Sequence, residues 1–409
     1  MIAASSFHQL QKPLVLCCLI LISLGLSLVG VELVLRQLIP RSYVLSALTH
    51  SPYQMKGMAS AQSLDEVKEL SGNFFQPGQL VNGFITNSQG FVSPEVRYAK
   101  DPDTIRIVFI GDSFGVGIVP YQKHFIRVLE KKLNEEGQLA KRVEVVNLSA
   151  PAIGPTVYER LFSLEAIKYH PDLVIVSFFV GNDFNDDVYS AGPSKMNQNE
   201  FTSNVAKNWK TYALVTNLIK VKLQNPGAVA PASLAQKDPT NGQVLGTYTG
   251  EGLESYDFTI PSIPIVKYME ILSWKMRLFD PRDTSAEPAI QSTEKTLQTL
   301  IADAQTAKVP LYVVVIPDEL QVNDQVFGAL TTSTLADPHY DITAPQRRLE
   351  HLFNAEQVPF LDVLPIFLQR TDKEVLYHPQ DTHIDTLGNA VVGEALYQTL
   401  LPKLQNEVK

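Results

Sequence analysis

Apolar residues in this chain gather into short, almost continuous runs, separated by longer stretches in which they recur every three or four positions. The runs lie at residues 105–110, 143–147, 173–180, 311–316 and 360–363 and are rich in Val, Ile and Phe. Unbroken apolar runs of this length suit strands buried on both faces, whereas a half-exposed strand would alternate. Helical spacing fills the intervals at 125–135, 157–169, 293–307 and 347–355, and returns from 387 to 401. Strand and helix alternate without an internal repeat. The pattern therefore predicts an α/β fold with a mostly parallel sheet covered by helices on both sides.

Two segments break the alternation. Residues 14–31 hold 18 positions without a charge, and the apolar run resumes after Glu32 through residues 33–35. About 20 apolar residues cross a bilayer as a helix, so residues 1–40 are expected to form an N-terminal membrane anchor with one transmembrane helix. Glu32 and Arg36 stand four apart and can pair on that helix near the interface. A cleaved signal would use the small residues of Gly25-Leu26-Ser27 and start the mature chain near Leu28, but the apolar run extends past that site. Arg36, Arg41 and Lys56 follow the span against Lys12 before it, which taken alone would leave the rest of the chain in the cytoplasm.

Residues 41–103 read as a mixed connector and 104–405 as the main domain, interrupted by an insertion at 185–292. The insertion holds two amphipathic stretches, 209–223 and 265–279, around a Pro/Gly/Asn-rich middle at 224–252. A loop of that length is either a lid or binding element, or a helical decoration on the sheet edge.

The ends of the apolar runs carry the chemistry. The first stops at Gly111-Asp112-Ser113, which sets a serine at the carboxyl end of a buried strand, where open α/β sheets bind ligands. The third stops at Gly181-Asn182-Asp183. Near the C-terminus Asp381-Thr382-His383 precedes the last helical pattern. A serine hydroxyl needs a base to become a nucleophile, and histidine can take and return its proton near neutrality. A carboxylate on the other ring nitrogen fixes the tautomer. An asparagine amide can donate to a developing oxyanion.

These blocks resemble the SGNH (GDSL-type) hydrolase family over roughly residues 104–185 and 295–405. The resemblance implies a flavodoxin-like three-layer α/β/α fold and ester cleavage through an acyl-enzyme. It makes Ser113 the nucleophile and His383 the base, and it builds the oxyanion hole from Ser113, a glycine of a second block and Asn182. The second block is residues 145–154. There the position aligned with the glycine is Ala152 and Gly154 follows two residues on; either backbone N–H can donate, and Gly154 is taken.

The family's usual spacing would put the triad acid at Gln380, three before the histidine. Asp381 stands two before it, a variant similar to some membrane-anchored bacterial members, and is taken as the acid, with Asp385 also near. Similar anchored members place the catalytic domain outside the cytoplasm, so a periplasmic or extracellular site is expected.

Composition narrows the partners. A net charge of −9 argues against nucleic acid. Both cysteines, Cys17 and Cys18, fall in the N-terminal apolar segment, leaving no disulfide elsewhere. The acidic run from Asp183 lacks the Gly and Glu of a calcium loop, having Val188 and Ser194 at those places. His378 has no cluster of ligands around it, and no phosphate-binding loop follows the first strand. No cofactor and no metal are expected.

The expected activity is that of a single-pass, membrane-anchored serine esterase. Its substrate would be an O-acyl or O-acetyl group on a glycan, a lipid or an acylated small molecule. Acyl transfer to a sugar hydroxyl would use the same triad, and a catalytically silent envelope binding module is the reading from another class. Acceptor choice would lie with the insertion and residues 321–345.

Overall fold

The computed structural model describes residues 57–186, 244–250, 261 and 263–407, together with Ser23 and Ser27. Apart from those two serines, the described residues belong to one compact unit, Pro52–Gly192 with Lys237–Lys409. Apart from Ser23 and Ser27, the expected anchor at 14–31 lies outside the described residues, as does the amphipathic stretch 209–223. Among the described residues no helix is long and apolar enough to cross a membrane.

In chain order the elements are α1 (Leu64–Ser71), β1 (Leu80–Val81), β2 (Phe84–Ile85), β3 (Thr104–Gly111), α2 (Ser113–Val116), α3 (Phe125–Glu135), β4 (Arg142–Asn147), α4 (Pro155–Leu164), β5 (Leu173–Phe179) and α5 (Asp183–Asp186). There follow β6 (Thr247–Tyr248), α6 (Ile265–Lys275), α7 (Glu287–Ala307), β7 (Leu311–Ile316), α8 (Asp324–Thr331), α9 (Ala344–Ala355), β8 (Phe360–Asp362), α10 (Leu364–Leu368) and α11 (Thr386–Glu407). All five apolar runs are strands of one sheet, in the order β4-β3-β5-β7-β8, and every pair in it is parallel.

The unbroken apolar character of these strands has a direct structural cause. Successive side chains point to opposite faces, and both faces are core. From β3, Val108 and Ile110 join Val157 and Leu161 of α4, Leu297 and Ile301 of α7, and Phe353 of α9. Ile105, Ile107 and Phe109 point the other way, to Phe125 and Leu129 of α3 and to Val392 and Leu396 of α11. The result is three layers.

Counted along the chain, the sheet's strands stand in the order 2-1-3-4-5, the flavodoxin-like arrangement, whose ligand crevice lies at the carboxyl ends of the first and third strands. Here those are β3 and β5. The blocks Gly111-Asp112-Ser113 and Gly181-Asn182-Asp183 leave from these two ends.

Three departures from expectation have physical reasons. Residues 57–93, inside the expected connector, contribute Met58, Ala61, Leu64, Val67, Phe74 and Phe91 to the same apolar cluster as β3 and α4. Ser63 caps α1 by accepting from the Glu66 N–H. A small antiparallel sheet, β1-β2-β6, joins this segment to residues 247–248 in the Pro/Gly/Asn-rich middle of the insertion; two-residue strands have no period to detect. Finally, α7 starts at Glu287, with proline in its first turn, so its first six residues come from what reads in sequence as insertion.

Candidate active site

Ser113 opens α2 directly after β3. Asp112 is fully buried and caps the turn, its Oδ1 accepting the Phe114 N–H at 2.8 Å. Two glycines let this turn sink against its neighbours. A Cβ on Gly111 would lie 2.9 Å from the Ser177 Cβ of β5, and one on Gly115 would lie 2.1 Å from the Ser149 Oγ beyond β4. Asn147, the last residue of β4, ties the same turn down by donating from Nδ2 to the Gly115 carbonyl at 2.8 Å.

Beneath the turn lies His124. Burial holds its imidazole well below the usual range, at about 4, so it is neutral. Its Nε2 bonds the Phe114 carbonyl at 2.8 Å, which makes that nitrogen the one bearing hydrogen.

His383 reaches Ser113 from the loop ahead of α11. Its Nε2 is 2.9 Å from the Ser113 Oγ, and its Nδ1 is 2.6 Å from the Asp381 Oδ1. The same Asp381 oxygen accepts the His383 backbone N–H at 3.1 Å. Closure of the loop is local: the His378 N–H donates to the His383 carbonyl and the Asp381 N–H to the His378 carbonyl. The imidazole stacks on Phe114, the residue after the serine, with ring centroids 4.9 Å apart.

Asp385, the other nearby carboxylate, is committed elsewhere. It precedes α11 and accepts the Gly388 N–H at 2.8 Å, the bond an N-cap makes. Gln380, at the family's usual acid position, has a left-handed backbone with φ 49°, and its carbonyl accepts the Ile263 N–H at 3.1 Å.

Asn182 follows β5 and bonds the Asp112 carboxylate with its side chain. Burial lifts the Asp112 carboxyl to about 6, opposed by the Phe114 N–H, by His383 and by Asn182. Its neighbour Asp183 is fully buried and structural, taking the Tyr158 hydroxyl and the Phe179 N–H.

In the second block, Gly154 is buried and precedes α4, its carbonyl accepting from Val157 and Tyr158. Ala152 is exposed and left-handed, φ 51°, and its carbonyl is held at 2.8 Å by Asn73 Nδ2. Sequence reasoning missed Asn73, His124 and the stacking role of Phe114. A phenylalanine directly after the serine was a visible signal; the other two had none.

No family model matches the chain, and neither does any curated protein. Solved structures to which it is similar include the acetyl xylan esterase AlAXEase, at 14% identity over 72% of this chain and 100% of the other, TM-score 0.36. The lipase/acylhydrolase from Enterococcus faecalis is 12% identical over 73% of this chain and 96% of its own, TM-score 0.36. The psychrotrophic esterase EstA from Pseudoalteromonas sp. is 10% identical over 74% and 99%, TM-score 0.31. Likenesses this distant carry no argument about chemistry, which rests on the geometry above.

Proposed function

We propose that the chain is a serine esterase of the SGNH (GDSL-type) kind, removing O-acyl groups from a glycan or lipid through an acyl-enzyme. One observation carries this reading: Asp381, His383 and Ser113 form an unbroken relay, 2.6 and 2.9 Å long, at the mouth of the sheet's switch point. Ser113 Oγ attacks the ester carbonyl as His383 Nε2 takes its proton. The imidazolium is held by Asp381 and then protonates the leaving alcohol oxygen. Water, deprotonated by the same nitrogen, attacks the acyl-serine, and the acyl–Oγ bond breaks as the imidazolium returns its proton to Ser113 Oγ and the acid leaves.

The backbone N–H of Ser113 and the side chain of Asn182 are the oxyanion donors at the two strand ends. A carboxamide carries two N–H donors, so holding Asp112 is compatible with that role. For the third donor the expected Gly154 competes with Ala152, and exposure together with left-handed backbone favours Ala152.

A fluorophosphonate that reacts only with activated serines tests the assignment: it should add one label to the intact protein, on Ser113, and none to Ser113→Ala. A folded wild type left unlabelled would leave the relay without a catalytic role.

We infer further that residues 14–35 hold the enzyme at a membrane with this site outside the cytoplasm, on the strength of the uncharged run and the family resemblance. The full-length protein should then stay with membranes through a carbonate wash and be cut by protease added outside the inner membrane.

A further inference from the structure

The helix α6 comes from the stretch that sequence sets apart as an insertion, and it carries a buried cation. Lys275 is 4% exposed, and its Nζ lies 2.6 Å from the Oδ2 of Asp318, itself fully buried. Asp318 is fixed in turn: its Oδ1 accepts the Leu320 N–H and its own N–H donates to Gln321 Oε1. Glu319 beside it accepts from the Tyr268 hydroxyl.

The same ammonium sits 4.8 Å from the centre of the Phe179 ring. Phe179 stacks on Phe114 at 3.7 Å, with 24° between the planes, and Phe114 stacks on the His383 imidazole at 4.9 Å and 26°. An ammonium, two phenyl rings and the triad imidazole thus form one column. The pair also bears on the oxyanion side: a Cβ on Gly181, next to Asn182, would lie 2.2 Å from the Asp318 Oδ2 and 2.4 Å from the Phe179 ring.

A buried ion pair is poor value for stability, since apolar side chains of the same volume usually do as well. Its position suggests a second use: an ammonium is attracted to the face of an aromatic ring, and this one lies 4.8 Å from the Phe179 centroid.

We propose that Lys275 is a positioning residue, which, held by Asp318, orients the Phe179–Phe114 column against which His383 keeps its alignment with Ser113 and Asp381. This rests on the esterase reading for its kinetic consequence, but not for the column itself. The insertion is on this account part of the catalytic apparatus.

The test uses full-length protein and two variants. Lys275→Met/Asp318→Asn removes both charges together, so Asp318 is not left as a buried carboxylate without its cation. Phe179→Leu keeps the pair and removes the ring. Each should lower kcat on an activated ester about tenfold or more, the scale expected of a small misalignment at a distance, with KM within about twofold. In protein labelled with 15N-histidine, the His383 ring resonances, identified by their loss in His383→Gln, should shift in both variants.

Unmoved His383 resonances in either folded variant, or an unchanged kcat in either variant of an active enzyme, would overturn the proposal. Were the wild type to hydrolyse no ester and resist the fluorophosphonate, the esterase reading would fall. The resonances would still decide the column.

Discussion

The turn after β3 and the loop before α11 each deliver one half of the proton relay, and they are held in opposite ways. The nucleophile turn is secured by what lies next to it in the chain or in the sheet: the Asp112 cap, the Gly111 and Gly115 contacts with β5 and the end of β4, and Asn147 on Gly115. The base loop closes on itself through local bonds but is anchored to the rest of the fold by distant partners. The Tyr377 hydroxyl donates to the Pro317 carbonyl at 2.6 Å, Asn389 Oδ1 accepts the Phe125 N–H at 3.0 Å, and Ile263 holds Gln380. A serine can be set by a local motif; a histidine with the right tautomer and plane has to be set by the whole fold.

The sharpest way to break this contrast lies within the base loop. Asp381→Asn should leave the fold intact and lower kcat by about 10⁴-fold, the cost of the wrong tautomer. Asp385→Ala should spare most of kcat and cost about 1 kcal/mol of unfolding free energy, as loss of a helix cap does. Parallel turnover and urea denaturation measurements decide it, and the reverse ranking would move the triad acid to Asp385.

A smaller effect is expected on the nucleophile side. Asn182→Ala should lower kcat by about 100-fold with little change in KM, because an oxyanion bond strengthens mainly in the transition state. A change confined to KM would make Asn182 a substrate-binding residue.

A further effect is on stability alone and probes the support beneath the turn. His124 is held at about 4 in the folded protein against an ordinary 6.5. As pH falls from 6.5 to 4 the unfolded chain takes up a proton that the folded protein refuses, so this contribution, complete above 6.5, is lost on acidification. It amounts to about 3 kcal/mol.

Asp112, raised to about 6, acts in the opposite sense over much of the same window, because the folded state takes its proton first. The His124 part is therefore the difference between wild type and His124→Gln in urea denaturation at pH 7.5 and 4.5. Parallel pH dependence in the two proteins would show that His124 is not buried neutral.

The contrast also explains what could be read from the sequence. The five core strands were legible because burial on both faces leaves unbroken apolar runs bounded by turn residues, and Ser113, Asn182 and His383 were legible because each stands where such an element ends or begins. Residues 57–93 were not, since Met58 enters the core from a three-residue 3-10 turn and Phe74 and Phe91 from irregular segments, none of them long enough to show a period. Lys275 escaped notice for a related reason: on α6 it reads as one more polar position, and only the tertiary fold places it on Asp318 and Phe179. Ala152 could be aligned, but its left-handed backbone is fixed in space by Asn73, far upstream.

The separation between Ser113 and His383 has a consequence in time as well as in space. They meet across 270 positions. At a synthesis rate of about 5–20 residues per second, roughly 15–50 s pass between the making of the nucleophile and the arrival of its base. Throughout that interval α3 also lacks the Asn389 that caps its first N–H. On the proposed esterase reading, a growing chain therefore carries its serine without a base, and the relay is completed only when the loop before α11 docks.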